Sequence, residues 1–202
     1  FGKPGTYSFT AKLVDKDTQS PLASTSATFT VTSDGVATVN GKEYATLSEA
    51  IEKATPNSTI TLIRDVNLSD ATGPITISKS LTIDGQGHTI TGNPSNANVY
   101  FQITGASVNV QVSNAVFTNF GDQAGSVVGA GVFKIPEDAS YPLLTADHVT
   151  VEKFNRAAFD VRNGVLQLNN STINCDNGQK DRLTKGVVVG YSSHKSKAVI
   201  QG

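Results

Sequence analysis

Two aspartates stand at the same place in a repeated phrase, Leu81-Thr82-Ile83-Asp84 and Leu144-Thr145-Ala146-Asp147. Paired carboxylates carry out glycoside hydrolysis, one giving a proton while the other activates water or attacks the sugar. If such phrases stack as strands, Val110-Gln111-Val112-Ser113 falls between them. The two carboxylates then stand two strand spacings apart, roughly 9–10 Å, near the separation of an inverting pair. An aspartate just after a strand is more often a turn residue, and that reading is adopted here. Lys134 and Asp160 occupy matching places in Phe133-Lys134-Ile135 and Phe159-Asp160-Val161. They read as an exposed cross-strand ion pair of little energetic worth. The functional alternative is a sugar-binding patch on a flat sheet face. Glu152, Lys153, Arg156 and Arg162 form a mixed-charge group read as a solvated face.

The other reactive side chains are sparse. His88 and His148 fall at bends, His194 stands apart, and no Cys/His set has metal spacing. The single Cys175 has no internal disulfide partner and reads as a small buried hydrophobe. A catalytic thiol needs a partner base, and none is near it in sequence. Gly85-Gln86-Gly87 lacks the third glycine and the following helix of a phosphate loop. Asn57-Ser58-Thr59, Asn67-Leu68-Ser69 and Asn170-Ser171-Thr172 match the glycosylation triplet, which chance supplies in such a chain. No residue is assigned to catalysis, to a metal, to a cofactor or to ligand binding.

The composition explains that sparseness. Of 202 residues only 16% are charged, and 23 Thr, 19 Ser, 15 Asn and 18 Gly take the place of charge. Val, Ile and Thr make up 55 residues, which favours strands. The net charge is -1, which gives no electrostatic reason to bind nucleic acid or an anionic membrane. No run of 18 apolar residues is present, so no membrane insertion by this segment is expected. There is no methionine and no signal peptide, so the chain is expected to be an excised or processed piece.

Three parts must position these residues. In residues 1–32, Tyr7, Phe9, Ala11 and Leu13 share one face of an alternating run, and Ala27, Phe29 and Val31 share one face of a second. The polar segment Lys16 to Pro21 separates them, which reads as an antiparallel strand pair. Two strands alone are marginal in water, so the pair must pack on something. Residues 33–42 read as a connector hairpin around the Asn40-Gly41 turn. Residues 43–202 begin with the one convincing helix, about 46–55. Thr46-Leu47-Ser48-Glu49 is a capping box, and Leu47, Ala50, Ile51 and Ala54 make one apolar stripe.

Beyond Ser58 three short patterns recur. The first is Pro74-Ile75-Thr76-Ile77, Tyr100-Phe101-Gln102-Ile103, Val132-Phe133-Lys134-Ile135, Ala158-Phe159-Asp160-Val161 and Gly186-Val187-Val188-Val189, with end-to-end spacings of 26, 32, 26 and 28. The second ends in Gly85, Asn114, His148, Asn170 and Gly202, and the third is anchored by Ile90, Phe117, Val151 and Ile173. Three short strands per irregular repeat indicate an all-β fold, a parallel β-helix in which equivalent residues stack about 4.8 Å apart. Phe101, Phe133 and Phe159 then form one dry column. The Gly/Asn/His column marks left-handed bends, where stacked Asn side chains bond from winding to winding. Loops at 92–98, 121–131 and 175–185 absorb the length variation.

The phrases Ala45 to Ile51, Ile60-Thr61-Leu62 and Leu81-Thr82-Ile83-Asp84-Gly85-Gln86-Gly87-His88-Thr89-Ile90 resemble the entry to right-handed parallel β-helices of the pectate-lyase-like type. In that family a short amphipathic helix caps the first winding. Pro4-Gly5-Thr6-Tyr7-Ser8-Phe9-Thr10-Ala11 resembles the late strands of a bacterial immunoglobulin-like domain, here truncated. The combination is similar to large bacterial cell-surface proteins that join the two. The resemblance implies a secreted or surface-attached, monomeric module whose partners are host or cell-wall glycans or surface proteins. Lyases of this fold need a calcium-binding carboxylate cluster and a Lys or Arg base. The hydrolases need paired aspartates on adjacent windings, Gly-His-Gly and Arg-x-Lys. This chain has Gly87-His88-Thr89 but no Gly-His-Gly, no Asp-Asp pair and no Arg-x-Lys. The leading expectation is a non-catalytic adhesin or stalk segment, and a further reading is a module that binds carbohydrate through loops such as 121–131. The alternative is a fragment of a β-helical lyase or hydrolase whose site lies beyond Gly202.

Overall fold

The structure, a computed structural model, describes residues 5–31, 34–121, 131–174, 184–190 and 195–202. The chain divides into two units, residues 1–34 and 35–202. It is mostly strand: β1 (Gly5–Val14), β2 (Pro21–Val31), β3 (Ala37–Val39), β4 (Lys42–Tyr44), then helix α1 (Leu47–Lys53), β5 (Ser58–Leu62), β6 (Val66–Asn67), β7 (Ile75–Ile77), β8 (Leu81–Asp84) and β9 (Thr89–Thr91). There follow β10 (Phe101–Ile103), β11 (Asn109–Phe120), β12 (Phe133–Ile135), β13 (Leu143–Phe154), β14 (Ala157–Val161), β15 (Gly164–Asn169), β16 (Thr172–Asn174), β17 (Lys185–Val189) and β18 (Ser196–Gln201).

The first unit is the antiparallel ribbon β1–β2, with Tyr7 opposite Phe29 and Phe9 opposite Ala27. The rings of Tyr7 and Phe29 stack at 5.5 Å. On the other face hydroxyls pair, Thr10 with Ser26 at 2.8 Å. Asp15 closes the turn by accepting from the amides of Asp17 and Thr18 and from the Thr18 hydroxyl. The apolar face is exposed, Phe9 by 56% and Leu13 by 62%.

In the second unit Asn40 and Gly41 both take positive φ, 51° and 76°, in the two-residue turn between β3 and β4. This hairpin also belongs to the sheet of the second unit: β3 pairs antiparallel with β5, Val39 opposite Ile60. Its alternating Ala37 and Val39 are buried, which a free linker would not allow. The Thr46 hydroxyl accepts from the Glu49 amide at 3.1 Å and starts α1. Leu47, Ala50 and Ile51 are buried. At the other end of α1, the Lys79 ammonium donates to the carbonyls of Glu52 and Ala54, both at 2.8 Å. A cation there satisfies orphan carbonyls and complements the helix dipole.

The remaining strands form parallel sheets. One runs β17-β14-β12-β10-β7, all parallel. The other runs β18-β15-β13-β11-β8-β5 in parallel, with β9 and β16 beside β11 and β13. The registers superimpose the recurring patterns. Ile75, Phe101, Phe133, Phe159 and Val187 are successive partners, and so are Leu81, Val110, Leu144, Leu166 and Ala198. Ile90, Phe117, Val151 and Ile173 form the third series. Phe101 and Phe133 stack at 5.4 Å, and Phe133 and Phe159 at 5.2 Å with rings 6° from parallel. Phe117 meets Phe133 edge-on at 4.8 Å, so the second sheet closes against the column. Phe120 and Phe154, which no repeat pattern singled out, pair in register and are fully buried.

Asn114, His148 and Asn170 take left-handed φ of 52°, 52° and 47° at the bends. Gly85 does not. There the left-handed residues are Gln86 and Gly87, and Gly85 is small because a Cβ would lie 2.5 Å from the Asn114 carbonyl and from the Ala115 Cβ. Residues Asn119 and Lys153 add a second left-handed position to β11 and β13. Among the described residues no helix is long and apolar enough to cross a membrane.

Candidate functional site

Asp84, Ser113 and Asp147 are successive register partners, so the two aspartates lie two strands apart, roughly 9–10 Å. Each is committed to a neighbour. Asp84 accepts from the Asn114 side chain at 3.1 Å, and from both the amide and the side chain of Gln86. Asp147 accepts from the Asn170 side chain at 3.1 Å and lies 3.0 Å from the His148 Nδ1. The expected Asn-to-Asn bonding along the bend is therefore replaced by Asn-to-Asp bonding: each carboxylate offers two acceptors to the amide one layer on. Burial pushes the Asp84 carboxyl up, but the hydrogen bonds from Asn114 and Gln86 outweigh it and hold the group below its ordinary range. A general acid needs the opposite shift. The pair is built for bonding between layers.

His88 is also held by a carboxylate, that of Asp65 at 3.2 Å, which also accepts from the Thr89 amide. Asp65 had no signal in the sequence, because it follows no recurring strand. The glycosylation triplets have local roles: Asn67 accepts from the Ser69 amide, and Asn57 is left-handed at φ 66°. Cys175 and His194 lie outside the described residues, as do most of the loops 121–131 and 175–185.

The outward column of the five-stranded sheet holds the densest polar chemistry. Thr76, Gln102, Lys134, Asp160 and Val188 are successive partners. The exposed Lys134–Asp160 ion pair is not what forms. The Asp160 side chain is only 3% exposed and pairs with Arg162, whose Nε donates to both its oxygens at 3.2 Å and whose Nη2 donates at 3.1 Å. Arg162 also donates to Glu137 at 3.1 Å. Arg162 lies two residues on, so its side chain returns to the same face, and its planar fork fits a carboxylate where a lysine gives only a point charge. Hydrogen bonding to Asp160 holds the guanidinium in its charged form. Neither Glu137 nor the burial of Asp160 was legible in the pattern.

Lys134 turns to Tyr100 instead, its ammonium 5.8 Å from the ring centroid. The Tyr100 hydroxyl donates to Gln102 at 3.4 Å. Burial pushes the Lys134 ammonium below the ordinary lysine range, Arg162 and Arg156 push it further, and Asp160 partly opposes them. Burial likewise raises the Tyr100 hydroxyl. Tyr100, Gln102 and Lys134 are all half-buried. Tyr100 could have been found in the sequence as the outward residue before Phe101. Among the described residues no three His, Cys, Asp or Glu side chains converge to hold a metal.

No family model, curated protein or solved structure matches this chain. Its chemistry rests on these side chains alone. They offer one desolvated ammonium, one aromatic ring and one amide on a rigid sheet, with the nearby carboxylates already bonded.

Proposed function

We propose that this chain is a non-catalytic extracellular module, an adhesin or stalk segment of a larger bacterial surface protein, and that it binds carbohydrate. In this reading residues 35–202 are a right-handed parallel β-helix closed at one end by α1. The β1–β2 ribbon belongs to an immunoglobulin-like domain. The module is secreted or surface-attached, monomeric, and meets host or cell-wall glycans or surface proteins.

The observation that carries it is the commitment of the carboxylates. Asp84 and Asp147 bond to the next layer, and Asp160 and Glu137 share one arginine. Asp84 is held below its ordinary range by those bonds, the opposite of what the general acid of hydrolysis needs. What remains is a stack whose interior columns are apolar and whose bends are tied layer to layer. Such a stack resists bending and suits a spacer that presents a face.

The test is incubation of the chain with a polysaccharide panel, with and without calcium. No reducing or unsaturated sugar is released, while a subset of the glycans is retained on immobilised protein. Product release with any glycan overturns the non-catalytic reading in favour of an enzyme fragment.

A further inference from the structure

We infer that Lys134, Tyr100 and Gln102 form a subsite for an oxyanion carried on a glycan: a carboxylate, a sulfate ester or a phosphate ester. The inference rests on the reading of the chain as a non-catalytic carbohydrate-binding module, and it names the chemistry of the ligand.

Lys134 is the starting point. Its ammonium has no hydrogen bond and no ion pair among the described residues, only the Tyr100 ring 5.8 Å away. The register partner that should neutralise it is Asp160. Both oxygens of Asp160 instead accept from Arg162. Arg162 in turn donates to Glu137 through its Nη1. A half-buried ammonium with three unused donors is partly stripped of water and gains from a charged acceptor. Arg162 disfavours its charge most among its charged neighbours and Arg156 adds to that, while Asp160 and Glu137 partly offset them. An incoming oxyanion is the ligand that relieves both conditions. It accepts from the ammonium and screens the lysine from the arginines.

The neighbours extend that anion site to a sugar. Gln102 spends its carbonyl oxygen on the Tyr100 hydroxyl, and its amide N–H groups have no partner among the described residues. Gln102 and Lys134 are register partners on adjacent strands, whose backbones run about 4.8 Å apart, so one sugar and its charged substituent can span the two positions. The Tyr100 ring gives an apolar face beside both. A neutral glycan would use the ring and the amide and leave the ammonium unsatisfied.

The experiment measures retention of the 202-residue chain on four probes: polygalacturonate, dextran sulfate, a phosphomannan and unsubstituted dextran. At least one polyanion binds and dextran does not; which one binds identifies the oxyanion. Lys134→Gln weakens that binding about tenfold, the loss of one charge-assisted contact, and Lys134→Arg retains most of it. Lys42 serves as the matched control: it lies over Tyr44 at 5.0 Å in the end hairpin, and Lys42→Gln leaves binding unchanged. Circular dichroism verifies that each variant is folded. The proposal is overturned if no polyanion binds better than dextran, or if K134Q and K42Q weaken binding equally. Product release in the same incubations overturns the non-catalytic reading instead, so the two failures are distinguishable.

Discussion

The Asn114 side chain donates to Asp84 at 3.1 Å across adjacent strands, and Asn170 repeats the bond on Asp147. Both asparagines are left-handed, φ 52° and 47°. One residue type thus meets two demands at each bend. It tolerates a backbone that most side chains avoid, and its amide reaches the layer before.

Replacing Asn114 separates the two demands. Asn114→Gly keeps the backbone and loses the bond, so it costs about 1 kcal/mol. Asn114→Ala loses both and costs about 1–2 kcal/mol more. Urea unfolding measures the difference, and equal losses would show that the left-handed backbone carries no weight at this bend.

Acid acts on the same bonds. The Thr89 amide and His88 hold the Asp65 carboxyl below its ordinary value of 3.8, and Asn114 and Gln86 overcome burial to do the same for Asp84. A carboxyl depressed in the folded state gives stability that is present above the unfolded value and lost as pH falls through the folded one. The urea midpoint should therefore hold from neutrality to about pH 5 and fall between there and about pH 2. In N114A the fall is shallower. A fall of unchanged depth in that variant would detach Asp84 from the acid response.

Phe133 touches three other rings: Phe101, Phe117 and Phe159 all lie within 5.4 Å of it. Phe133→Ala is expected to cost about 3–5 kcal/mol and Phe133→Leu distinctly less. By contrast Phe9 is 56% exposed, and Phe9→Ala should stay within about 0.5 kcal/mol. Comparable losses at Phe9 and Phe133 would mean that the ring column does not hold the fold.

The Asp160–Arg162 contact is a largely buried charge pair, with side chains 3% and 19% exposed. Asp160→Asn takes from a mostly buried guanidinium its bidentate carboxylate partner and is expected to cost about 3 kcal/mol. Arg162→Lys should not restore stability, because one ammonium cannot reproduce the fork. Thermal unfolding of both variants checks this, and a fully stable R162K would remove the geometric requirement.

The difference between Asp160 and Phe159 shows where sequence reading stops. Phe159 was legible because its partners, Phe101 and Phe133, stand at the same place in the same phrase, and strands of one pattern stack in register. Asp160 shares that register. Its ion partner comes from Arg162, beyond the end of the phrase, and its burial from the packing around it. Gly85 makes the same point: its place in the bend column suggested a left-handed backbone, but it is a glycine because the Asn114 carbonyl passes where a Cβ would sit.

By itself the sequence determined the strand phrases, their parallel order, the capped helix and the apolar columns, because period and capping chemistry are local and equivalent positions stack. Only the tertiary structure decided which carboxylate takes which cation, which left Lys134 beside a ring and not beside an acid. Pairing among side chains depends on reach, fork geometry and depth of burial, and those exist only once neighbouring layers are in place.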